Sequence, residues 1–83
     1  MSTATVAQDV LDRNFLDIRS RLIDIAAALD RIDRAEGAEH AQNDTRLVRI
    51  RESLQILAGE EGRRAERVLM VFSDPYEPNW RDQ

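Results

Sequence analysis

Residues 9–35 read DVLDRNFLDIRSRLIDIAAALDRIDRA, and this stretch decides the fold. Leu11, Phe15, Ile18, Leu22, Ile25, Leu29 and Ile32 follow one another at spacings of 4, 3, 4, 3, 4 and 3. That is an unbroken heptad seam, the pattern of a helix packed lengthwise against other helices. Neither Gly nor Pro interrupts it before Gly37. Asp9/Arg13, Asp17/Arg21 and Asp30/Arg34 place an acid four residues before a base, which adds a few tenths of a kcal/mol each. Upstream, Thr5-x-x-Gln8 fits a capping box and predicts a helix start at about residue 6. Downstream, Gly37 suits the residue just past a helix end, so the first helix is expected over about 6–36.

Beyond it, residues 38–44 are polar without apolar periodicity and read as a connection. Asp44 or Thr45 can cap a second helix over about 45–58, in which Leu47, Ile50, Leu54 and Leu57 repeat the heptad spacing. Gly59 and Gly62 license either a tight turn or a kink. Ala65, Val68, Leu69 and Phe72 then form the apolar face of a third helix over about 61–73. Ser73-Asp74-Pro75 stops it, and Pro78 keeps a tail over 74–83 extended. The expected fold is therefore all-α and a single domain, 1–83. A long N-terminal helix packs against two shorter ones, as a three-helix bundle or a helical hairpin, followed by an extended aromatic C-terminal tail.

Lengths make that arrangement incomplete. The first helix would span roughly 45 Å and the other two about 20 Å each. A compact bundle leaves Leu11, Phe15 and Ile18 uncovered, and a hairpin leaves a thin core. Leu16, Ile23 and Ala27 form a second apolar line, about 120–160° around the helix from Leu11. Val48 and Ile56 likewise lie off the stripe of the second helix. Two sticky faces on one long helix suggest one for the chain's own core and one for a partner. Leu11, Phe15, Leu16, Ile18 and Ile23 are the residues expected to carry association, most simply as a two-fold dimer or with another helical protein. Leu22, Leu29, Leu47, Leu54, Leu57, Val68 and Phe72 are expected in the core of one chain.

Composition narrows the function classes. A chain of 83 residues buries a modest fraction of its surface, and with no cysteine it has neither disulfides nor thiolate metal sites as staples. Oligomerisation is the remaining device. The opening residues lack a basic region followed by an apolar one, and no apolar run approaches the roughly 20 residues of a membrane span. A cytoplasmic protein, away from the membrane, is expected. Its 12 basic residues are all Arg, against 16 acidic ones, for a formal charge of −4. A GC-rich coding sequence accounts for the missing Lys more simply than selection for bidentate pairing does. The acidic balance argues against nucleic acid as main partner.

Chemistry finds little purchase. His40, beside Glu36 and Glu39 with Asp44 nearby, invites a metal site, but no second Glu-x-x-His and no Cys complete one. The acid pairs Asp30/Asp33 and Glu60/Glu61 have no pocket assigned to them, and no phosphate loop or nucleophile motif occurs. No catalytic activity, cofactor, metal or small-molecule substrate is expected. Arg46, Arg49 and Arg51, with Arg63, Arg64 and Arg67, offer the alternative of a small nucleic-acid-binding regulator. Against it, Arg46 and Arg51 flank opposite edges of the apolar stripe, and Glu60, Glu61 and Glu66 offset the third helix. The six Asp of the first helix could instead accept those arginines. In the tail, Tyr76 and Trp80 could roof the core or form a docking motif.

Overall fold

The regular spacing of residues 9–35 becomes one continuous helix, α1 (Ala7–Arg34). The structure, a computed structural model, describes residues 6–73. Thr5 of the capping box, Tyr76 and Trp80 lie outside the described residues. Among those described there is no strand, and three further helices follow: α2 (Ala38–Ala41), α3 (Thr45–Ala58) and α4 (Arg64–Phe72). The chain divides into two units, Met1–Glu36 and Gly37–Gln83.

In the first unit, Val6 stands at the N-cap of α1 in an extended conformation, with Asp9 in the first turn. The Gln8 amide donates to Asp12 Oδ1 at 3.2 Å, one turn along the helix. Arg31 and Arg34 occupy the last turn, where cations favour the carbonyl end of the helix dipole. At the start of the second unit, Gly37 takes the left-handed conformation that its lack of a Cβ permits, at φ 84°. It does not close α1, whose C-cap is Ala35; it opens α2, and its carbonyl accepts from the His40 and Ala41 amides. The polar connection expected over 38–44 thus contains one helical turn.

In the second unit, Asp44 caps α3 by accepting the Arg46 amide at Oδ1, 2.8 Å. The helix ends at Ala58, and five residues separate it from α4, so Gly59 and Gly62 mark a turn between two helices. Neither glycine uses its conformational freedom. Gly59 is extended at φ −79°, and the one left-handed residue of the turn is Arg63, at φ 58°. A Cβ at Gly62 would meet nothing within 4 Å. Gly62→Ala is therefore expected to stabilise the unit by about 0.4–1 kcal/mol through the unfolded chain, whereas Gly37→Ala destabilises by about 1–2 kcal/mol through left-handed strain. Urea titrations followed by circular dichroism check the opposite signs.

The core is smaller than the apolar pattern implies. Leu47 is the one buried apolar side chain among those described, and Ser53 is the one buried polar one, its Oγ donating to the Arg49 carbonyl at 2.8 Å. Leu29, Leu54 and Val68 are half-buried, while Leu22, Leu57 and Phe72, expected inside, are exposed. A 14-residue helix against one of nine offers too little surface to enclose every apolar position on both.

Candidate functional site

An amphipathic helix earns most of its stability by burying its apolar stripe, yet α1 has no buried residue along its 28. Leu11, Phe15, Ile18 and Leu22 project from one stripe and are each 47–54% exposed; Ile25 continues the line at 36%. Towards the C-terminal end, Leu29 and Ile32 are half-buried. The open part of the seam is therefore its N-terminal two-thirds. Of the five expected interface residues, Leu11, Phe15 and Ile18 lie together on this stripe. Leu16, 72% exposed, and Ile23 lie about 120–140° around the helix. They form a separate outward line.

The seam is edged by charges. Arg21 donates to Asp17 Oδ2 at 3.1 Å within the helix, and the Asn14 amide donates to the Val10 carbonyl at 2.7 Å. Arg19 makes no hydrogen bond or ion pair among the described residues. Asp12 accepts only the neutral Gln8 amide there.

The arginines of the second unit turn towards its own helix ends. Helix termini leave carbonyls unsatisfied, and a guanidinium can reach several at once. Arg64 donates to the Gly59 carbonyl from Nε and from Nη2, and Arg67 donates to the Gly62 carbonyl while pairing with Glu61 at 3.2 Å. Arg63 pairs with Glu66 at 2.8 Å. Arg51 donates to the Gln42 carbonyl at 3.2 Å and to its side-chain oxygen. Arg49, half-buried, donates to the Val71 carbonyl near the end of α4 and so ties the two helices together. The acceptors are thus mainly carbonyls and acids of the same unit's turns.

Asp44 has the clearest perturbed ionisation. Both its oxygens accept from the Arg46 guanidinium at 3.0 Å. That side chain, and then the Arg46 amide, lower the Asp44 carboxyl from 3.8 to about 2. Because the folded value is the lower one, the cap's stabilisation is complete above pH 3.8 and is lost as pH falls through about 2. The gap in thermal midpoint between wild type and Asp44→Asn is expected to narrow over that interval; a gap unchanged at pH 2 would contradict it.

Of the residues considered for chemistry, His40 Nε2 approaches Glu39 at 3.7 Å, with both side chains exposed. No group of three or more His, Asp or Glu suited to a metal occurs among the described residues. Between α3 and α4 runs an open groove lined by Glu52, Gln55, Ile56, Arg67 and Val71. No helix among the described residues is long and apolar enough to cross a membrane. Arg49, which reaches α4, and Ser53, which is buried, escaped the sequence reading. Their wheel positions beside the Ile50/Leu57 edge were the available signal. Comparison of the chain with protein-family models, curated proteins and solved structures gives no match.

Proposed function

We propose that this chain is a non-catalytic protein–protein interaction or assembly module of the cytoplasm, which pairs with a second copy of itself through α1. The observation that carries the reading is the open seam: five large apolar residues in unbroken heptad spacing, none buried. Scattered apolar surface residues are ordinary, but a contiguous stripe of this kind marks an interaction site. Fully burying one such side chain contributes about 1.5–3 kcal/mol. Burying the exposed half of five such side chains on each of two copies contributes roughly 8–15 kcal/mol, of the same order as an association cost of roughly 4–15 kcal/mol, so the seams can support a weak dimer.

The arginines do not favour the nucleic-acid alternative. Each of Arg46, Arg49, Arg51, Arg63, Arg64 and Arg67 is engaged with a carbonyl, amide oxygen or carboxylate of its own unit. A phosphate would have to displace those contacts.

The test is molar mass by light scattering over a micromolar concentration series. Twice the chain mass of 9.5 kDa is the expected limit. A monomer throughout would overturn self-association.

A further inference from the structure

We infer that two copies of α1 pair antiparallel, centred between Leu16 and Asp17. This rests on the self-association proposed above and adds its orientation and register.

Two observations converge. The first is the extent of the open seam. Reversing one helix about this centre sets Leu11 opposite the second copy's Leu22 and Phe15 opposite its Ile18, with Gln8 opposite Ile25 at each end. Those layers use every seam residue that is more than a third exposed, Leu11 to Ile25, and none of the half-buried ones, Leu29 and Ile32. A register centred on Ser20 would need both of the latter.

The second is charge. In residues 7–25 of α1, Asp9, Arg13, Asp17, Arg21 and Asp24 each have an opposite charge three or four residues away in their own helix. Asp12 and Arg19 do not. Around Arg19 those positions hold Phe15, Leu16, Leu22 and Ile23; around Asp12 they hold Gln8, Asp9, Phe15 and Leu16. Both residues occupy the same edge of the seam, the heptad e position when Phe15 is a and Leu11 is d. Edge charges of this kind set helix orientation.

In a parallel, in-register pair the e edge of one helix faces the g edge of the other, which carries Ala7, Asn14 and Arg21. Arg19 would then meet no acid and Asp12 no base. In the antiparallel pair e faces e. Centred as stated, Asp12 of one copy lies within two residues of rise, about 3 Å, of Arg19 of the other. The contact occurs twice by symmetry. The register centred on Ser20 instead brings Arg19 to its own counterpart at that offset, and Arg21 likewise.

Because the chain has no cysteine, Arg31→Cys permits one spin label per chain on the exposed face of α1. Pulsed electron–electron dipolar spectroscopy on the labelled full-length dimer is expected to give a distance near 44 Å, from 29 residues of rise between the two labels. The register centred on Ser20 gives about 33 Å, and a parallel pair about 10–20 Å. Charge reversal provides the second readout. Arg19→Asp is expected to weaken the dimer about tenfold, and the doubly reversed Asp12→Arg/Arg19→Asp chain to recover it. A dimeric mass with a short label distance, or with no recovery in the double variant, overturns the antiparallel register and leaves self-association standing. A monomeric mass for the unlabelled wild type overturns both.

Discussion

Phe15→Asp is expected to abolish self-association at concentrations where the wild type is dimeric, with little loss of helical circular dichroism. In the single chain Phe15 is half-exposed, so an aspartate there stays hydrated and costs the helix only about 0.5 kcal/mol in propensity. In a dimer joined by the seam the same substitution removes two aromatic side chains from the contact. It also places two carboxylates in an apolar interface, where the one base three or four residues away in the same helix is Arg19, at the edge of the seam. Desolvating a carboxylate and losing the aromatic contact on both copies together cost several kcal/mol, so the dissociation constant should rise at least about a hundredfold. Sedimentation velocity at matched concentrations checks the loss, and a variant that stayed dimeric and helical would show that the seam is not the interface. Leu16→Asp supplies the contrast. Its side chain lies on the separate outward line, 72% exposed, and its loss should leave a seam-mediated dimer in place.

Leu47→Ala is expected to have the largest effect on stability, about 2–3 kcal/mol, towards the low end of the range for buried leucines. Leu47 is 6% exposed. Truncation removes its burial and leaves a cavity at the first turn of α3. In so small a unit that loss is a large share of the total, so the unit should unfold at markedly lower urea. Leu57→Ala, at a position 45% exposed, is expected to cost under about 1 kcal/mol. Urea titrations of both variants, followed by circular dichroism, distinguish them; equal losses would mean that Leu47 is not the centre of the unit.

These two positions show what a sequence reading reaches. Phe15 and Leu47 both belong to heptad stripes, and spacing alone ranks them alike. The interface candidates Leu11, Phe15 and Ile18 emerged because the first helix was too long for the others to cover. Leu22 was assigned to the core by the same spacing, and it is as exposed as Phe15. The glycines carry a similar lesson. Gly37 adopts the left-handed conformation that its type suggests, but at Gly59 and Gly62 the freedom goes unused while Arg63 takes the left-handed turn. Residue type sets what a backbone position tolerates, and the path of the chain selects among the tolerated states.

The sequence by itself determined that the chain is helical and that its first helix is long and two-faced. It also contained the start of α3, with Asp44 and Thr45 as its candidate caps. Each follows from chemistry between residues one to four apart: apolar periodicity, acid-before-base pairs, and a carboxylate beside a free amide. Only the tertiary structure decided that Leu47 is buried while Leu57 is not, that Ser53 lies inside, and that Arg49 reaches the carbonyl of Val71, 22 residues away. The physical reason is that burial and long-range hydrogen bonds depend on which segments meet, and a heptad stripe states only that a face is apolar, not what covers it.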